Sequence, residues 1–220
     1  MKTTLIGDIH AGIGEKKTIF HPNFMPDNSI QLGDLCLNSY WNWNVNAKDC
    51  ISNWKNEKRF FVEGNHECFP ELNCNAEKPY SVATGLYHIP RGYINGNVLF
   101  IGGANSIDDH RRVAGMDLYP EEALSQAQFN RIATAIENAS IDVVIAHDIP
   151  ACAYPLIGIN DHRSNATALQ GLFEIAKPSL WVCGHHHRSR QMKADGCKFR
   201  ILGINEKWET DIPLFSLFDE

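Results

Sequence analysis

The chain has 220 residues, 44% of them hydrophobic, and a formal net charge of −6. That is enough apolar material for a core of its own, while the acidic balance argues against a nonspecific binder of nucleic acid or membrane surface, which needs net positive charge to displace counterions. Seven cysteines occur without a CxxC pair, several inside apolar runs such as LWVC, where a reduced thiol behaves as a small hydrophobe. The apolar run after Met1 is too short for a signal-peptide core and no stretch approaches a membrane span, so a cytoplasmic protein is expected. No repeat or linker divides the sequence, and residues 1–220 are read as one domain.

In chain order, TTLIGDIH from Thr3 and SIQLGD from Ser29 each join a β-prone stem to a polar turn. A helix is expected over Ala47–Lys55, and RFFVEGNHE from Arg59 repeats the stem-and-turn pattern. The stretch LYHIPRGYINGNVLFIGG reads as two strands around a turn at Asn95–Asn97. The clearest helix runs from Ser125 to Asn138: Ser125 can cap with Gln128 three residues on, and Phe129, Ile132, Ala133 and Ile136 form one apolar face that reads as core. DVVIAHD from Asp142, a helix over Ala166–Ala176 stopped by Pro178, and LWVCGHHH from Leu180 follow. KFRILGIN and PLFSLF close the chain as late strands. Strands alternating with helices, then hairpin-like strands, predict a mixed α/β domain with layered sheets.

Open α/β sheets place their sites beyond the carboxyl ends of the strands, so five polar turns at five such ends can converge on one crevice. The candidate ligands there are Asp8, His10, Asp34, Asn65, His147, His185 and His187. This oxygen-and-imidazole set, without thiolate, suits manganese, iron, nickel or zinc and not a structural thiolate zinc site.

In order, GDIH, GD at Gly33, GNHE at Gly64, the lone His147 and GHHH at Gly184 resemble the calcineurin-like metallophosphoesterases, whose pattern is DxH, GD, GNH(D/E), H and GHxH. The resemblance implies an αββα sandwich holding two divalent metal ions, manganese first among them. One ion would take Asp8, His10 and His187, the other Asn65, His147 and His185, with Asp34 bridging. It also implies in-line attack of a metal-bound hydroxide on a phosphate ester. For His66, beside a ligand without being one, it implies the role of general acid or of leaving-group stabiliser. Glu67 and Asp148 flank ligands and could orient imidazoles. In an extended segment residues i and i+2 point the same way, which accounts for DxH and HxH and turns His186 away from the metals. The glycines before Asp8, Asp34, Asn65 and His185 would let the chain turn sharply.

Arg111 and Arg112, in GGANSIDDHRR, could bind phosphate or pair with Asp108 and Asp109, and Trp41 and Trp43 could stack a nucleobase or pack in the core. Cys68 and Cys74 lack a second pair and read as free thiols. Leu37 stands where many relatives carry a second Asp, and the Asp-Arg-Gly of the serine/threonine protein phosphatases is absent. Without an arginine assigned beside the metals, phosphodiesters or nucleotides are favoured over phosphomonoesters or phosphoproteins as the small substrate. A noncatalytic interaction protein and a nuclease are the alternatives. The loops Cys68–Arg91, Ser106–Tyr119 and Ile149–Asn165 are expected to line the entrance.

Overall fold

Buried side chains alternate between two faces along the central strands, and this alternation sets the layers. A computed structural model describes residues 2–10, 25–36, 58–160 and 163–212. Strands β1 (Thr3–Ile6), β2 (Ser29–Gln31), β3 (Arg59–Phe61), β4 (Tyr80–Ala83) and β5 (Leu86–His88) belong to one sheet. Strands β6 (Tyr93–Asn95), β7 (Val98–Ile101), β8 (Val143–Ala146), β9 (Leu180–Cys183), β10 (Arg190–Ala194) and β11 (Cys197–Ile201) form the second. The last strand, β12 (Lys207–Thr210), returns to the first sheet, whose order is β12-β1-β2-β3-β5-β4; the second runs β10-β11-β9-β8-β7-β6. In each sheet four parallel strands lie between antiparallel edges.

Leu5, Ile30 and Phe60 from the first sheet meet Val98, Phe100, Val143, Ile145 and Val182 from the second. The intervening residues point outward: Leu99, Ile101, Val144, Trp181 and Cys183 face a layer of helices, and Ile6 and Phe61 face a third cluster. Central strands buried on both faces read as continuous apolar runs, and each such side chain contributes about 1.5–3 kcal/mol. These are two mixed sheets with flanking helices, the layered α/β sandwich expected. The helix expected over Ala47–Lys55 and the strand PLFSLF lie outside the described residues.

The helix layer is α1 (Gln126–Glu137) and α2 (Ser164–Ala176). The Ser125 hydroxyl accepts from the Gln128 amide at 3.2 Å and Gln128 Oε1 accepts from the Ser125 amide at 3.0 Å, closing the capping box. Ile132 and Ile136 pack into the core with Phe129 and Ala133 beside them. The N-terminus of α2 is capped from a distance, by Asn105 Oδ1 accepting from the Asn165 amide at 2.7 Å. LYHIPRGYINGNVLFIGG divides between the sheets: Leu86–His88 joins the first, and the hairpin β6–β7 borders the second. Among the described residues, no helix is long and apolar enough to cross a membrane. Cys183 and Cys197 are buried thiols without a disulfide.

Candidate metal centre and active site

The turns after β1, β2, β3, β8 and β9 meet at one edge of the sandwich. Cross-links between them fix the convergence: His147 Nδ1 lies 2.7 Å from Leu32 O, the Gly184 amide donates to His147 O at 3.1 Å, and the His185 amide donates to Asp8 Oδ1 at 2.8 Å. Asp34 Oδ1 accepts from the His66 amide at 2.9 Å. Asp8, His10, Asp34 and His187 thereby offer ligand atoms all within 4.8 Å of one another, and Asp34, His147 and His185 form a second such group sharing Asp34. Asn65 joins the second group, its Oδ1 3.2 Å from His147 Nε2.

Several features of this cluster call for positive charge. Asp8 Oδ2 is buried with no hydrogen bond of ordinary geometry, its nearest polar neighbour being His187 Nε2 at 3.1 Å, so the carboxylate charge is poorly compensated by the chain itself. His10 Nε2 and His187 Nε2 stand 2.8 Å apart, a separation at which two lone pairs repel unless a proton or a cation lies between them. Burial pushes His147 down, but the carboxylates of Asp34 and Asp8 and the Leu32 carbonyl overcome it and raise the group to about 10. Burial likewise opposes the ionised form of Asp34, yet His147, His66 and His10 hold it well below the usual carboxylate range. His185 is driven by burial to about 4, leaving a neutral ring. The donor set therefore fits two divalent cations around a shared carboxylate.

The local backbone differs from the extended geometry expected for DxH and HxH. His10, Asp34, Cys36, His185 and His187 take left-handed conformations, with φ between 49° and 64°. Such values are unfavourable for residues with a Cβ and are held by surrounding contacts, so a left-handed turn, not a pleat, aims the paired ligands. Sharp turning also explains only part of the glycine pattern. Gly33 has φ 95°, but at Gly64 and Gly184 it is space that is lacking: a Cβ would stand 2.1 Å from Asp34 Oδ1 and 2.2 Å from Asp8 Oδ1.

His66 Nε2 lies 3.9 Å from Asp34 Oδ2. Burial lowers its pKa, with Asp34 opposing and Arg112 assisting. Arg112 Nη2 is 3.0 and 2.6 Å from the two His66 ring nitrogens, so this arginine touches the proposed acid and not open solvent. Arg111 is exposed and donates to His110 Nε2 at 3.1 Å; it is not among the cavity-lining residues. Trp41 lies outside the described residues. Glu67 acts on backbone instead of an imidazole, accepting from the Leu35 and Cys36 amides at 2.9 and 2.7 Å and so clamping the Asp34 turn. Burial, with Asp34 nearby, raises its carboxyl to about 7. Asp148 meets the non-ligand His186, 3.2 Å away, and accepts from the Tyr154 hydroxyl at 3.0 Å. His186 thus stands outside both candidate ligand groups.

A cavity of about 490 Å³ opens beside the cluster, lined by Asp34, Asn65, His66 and His185–His187 at one side. Ile107, Ile157 and Ile159 form an apolar wall, and Arg163 and Arg188 add cationic groups. The loops 106–119 and 149–165 contribute to this lining, whereas Cys68–Arg91 does not: its strands form the far edge of the first sheet. Neither Arg163 nor Arg188 sits in a metal motif, so sequence alone does not mark them, although Arg188 directly follows His187. A third cluster, Glu63, Cys74 and His88, also has metal-ligand chemistry. There, however, the buried Arg91 already pairs with Glu63, and His88 Nε2 lies 2.7 Å from the same carboxylate.

In structure the chain is similar to a phosphopantetheinyl hydrolase from Mycobacterium tuberculosis, with 16% identity, TM-score 0.48 and coverage of 93% of this chain and 90% of that one. It is also similar to GAP50, the anchor in the inner membrane complex of Plasmodium, with 14% identity, TM-score 0.52 and coverage of 93% and 72%. A candidate 5′-nucleotidase from Staphylococcus aureus matches at 12% identity and TM-score 0.46 over 97% of this chain and 51% of that one. At 14% identity the likeness to the Plasmodium protein speaks to the fold alone. No curated protein matches the chain in sequence. The sequence profile of the calcineurin-like phosphoesterases matches residues 1–189, and the chain belongs to that family of metal-dependent phosphoester hydrolases.

Proposed function

We propose that the protein hydrolyses a small phosphodiester or nucleotide at a dinuclear centre, by in-line displacement. Asp8, His10 and His187 would hold one cation, Asn65, His147 and His185 the other, and Asp34 both; manganese is the first choice, with iron, nickel and zinc compatible with the same donors. The single observation carrying this reading is the pair of ligand groups that share Asp34. When bound, the cations supply charge to the phosphate oxygens and make water nucleophilic near neutral pH. The protein orients the ester: the wall of Ile107, Ile157 and Ile159 suits its organic part, and His66 delivers a proton to the leaving oxygen. The net charge of −6 disfavours long nucleic acid as substrate.

A second reading, hydrolysis of a terminal monoester, draws support from Arg188 in the cavity lining, since a dianion needs such partners; Arg163, also in the lining, already pairs with Asp109. With Arg188 at the cavity, the preference for diesters is smaller than a site without arginine would give. Manganese-loaded protein assayed with bis-nitrophenyl phosphate and nitrophenyl phosphate separates the two. His66→Ala should retain metal and lose about 10²–10⁴-fold in kcat on an ester with a poor leaving group. Unchanged metal content and rate in Asp34→Asn would sink the proposal.

A further inference from the structure

The segment from Ser106 to Glu122 reaches the site at two adjacent residues. Asn65 Nδ2 donates to Ser106 Oγ at 3.0 Å, and the Ser106 hydroxyl donates to Glu122; this fixes the amide so that Asn65 Oδ1 faces His147. Arg112 holds the next residue. Its side chain is only 1% exposed, and its fork has several partners at once: the His66 ring, Asp117 O at 3.1 Å, Asn65 O at 3.4 Å and Asp108 Oδ1 2.8 Å from Nε. Glu122 Oε1 lies 3.6 Å from Nη1, so Glu122 supports both branches.

We propose that Arg112 is a positioning residue that locks the His66 ring in line with the leaving oxygen, with Glu122 coupling this lock to the orientation of Asn65. The inference rests on the phosphoesterase reading above. Apart from Arg112, the ring has an edge contact with His10 at a centroid distance of 5.1 Å and stands 3.9 Å from the Asp34 carboxylate, neither of which fixes both torsions. A planar guanidinium with five donors can bind ring, carbonyls and carboxylates in one geometry, which a lysine cannot. A buried cation without partners would be costly; Asp108 and Glu122 offset its charge without drawing it from the ring. Because a displacement of about 1 Å can cost about 10²-fold in rate, the orientation matters most where the leaving alcohol must be protonated.

The test compares an alkyl phosphate ester, which needs that proton, with the corresponding nitrophenyl ester, which does not. In Arg112→Met, kcat on the alkyl ester should fall by about 10²-fold and on the nitrophenyl ester far less, with KM little changed on either. Arg112→Lys, which keeps the charge, should show the same selectivity in milder form and serves if the methionine variant does not fold. Combining Arg112→Met with His66→Ala should give no further loss beyond His66→Ala, since both remove one function. In zinc-loaded protein, the His66 ring should give one set of NMR signals in the parent and broadened or multiple signals in the variants. Equal slowing of both esters, multiplicative losses in the double variant, or an unchanged ring spectrum would overturn the proposal. A parent protein that hydrolyses neither ester would instead remove the phosphoesterase reading.

Discussion

Asp34 is where the constraints on single residues meet. Its oxygens face His10, His66 and His147, its backbone is left-handed, and Gly64 passes so close that no side chain fits between. Gly64→Ala should therefore displace the Asp34 carboxylate and lower the bound metal per chain, measurable by elemental analysis, while the fold survives. His147 carries a second prediction. With its pKa raised to about 10 by the neighbouring carboxylates, the ring is protonated in cation-free protein at neutral pH, and a cation must replace that proton. Manganese binding at pH 7 should release about one proton from this ring, and affinity should climb with pH until the ring titrates. Calorimetry in buffers of different ionisation enthalpy measures this; binding without proton release would refute it.

At the scale of elements, strand ends aim the ligands and the helix layer supports the strands from behind. The Ser125–Gln128 capping box closes the first turn of α1, and its side chains bond each other's backbone, Arg91 and Asn75, not a candidate ligand. Ser125→Ala should cost about 0.5–2 kcal/mol in chemical denaturation and leave kcat unaltered; an equal loss of activity would mean that α1 shapes the site directly. The central strands and both helices were legible from local pattern, since alternation and 3.6-residue periodicity depend only on neighbours in sequence. The edge strands β10 and β12 were not. Arg190–Ala194 and Lys207–Thr210 are polar and partly exposed, and they become strands because β11 and β1 offer free edges.

Across the whole molecule, the buried Glu63–Arg91 pair ties the end of β3 to the start of the helix layer. Arg91 also donates to Ala123 O at 3.0 Å and Glu122 O at 3.2 Å. Burial opposes the charge on Glu63, but Arg91 and His88 outweigh it and bring the carboxyl from 4.5 to about 2. A depressed carboxyl stabilises the fold fully above its unfolded value, and that contribution is lost as pH falls from about 4.5 towards about 2. The loss amounts to about 3 kcal/mol for this shift. Glu63→Gln, which leaves the Arg91 charge unpaired, should lose about 3–5 kcal/mol already at neutral pH. Denaturant titrations across this range provide the measurement, and a variant as stable as the parent at pH 7 would show that the pair is dispensable.

The donor inventory and its order are written in the chain itself: Asp8, His10, Asp34, Asn65, His147, His185 and His187, each just beyond an apolar stem. Motif and stem are contiguous, so their association does not depend on the fold. Folding is what brings Arg112 onto His66, Glu67 onto the Asp34 turn and Asp148 onto His186. It also sets Arg163 and Arg188 against the cavity. Most of these contacts join residues about 30 or more positions apart through irregular loops. Loops carry no periodicity that announces their direction, and the partner each side chain finds is set by how the two sheets stack.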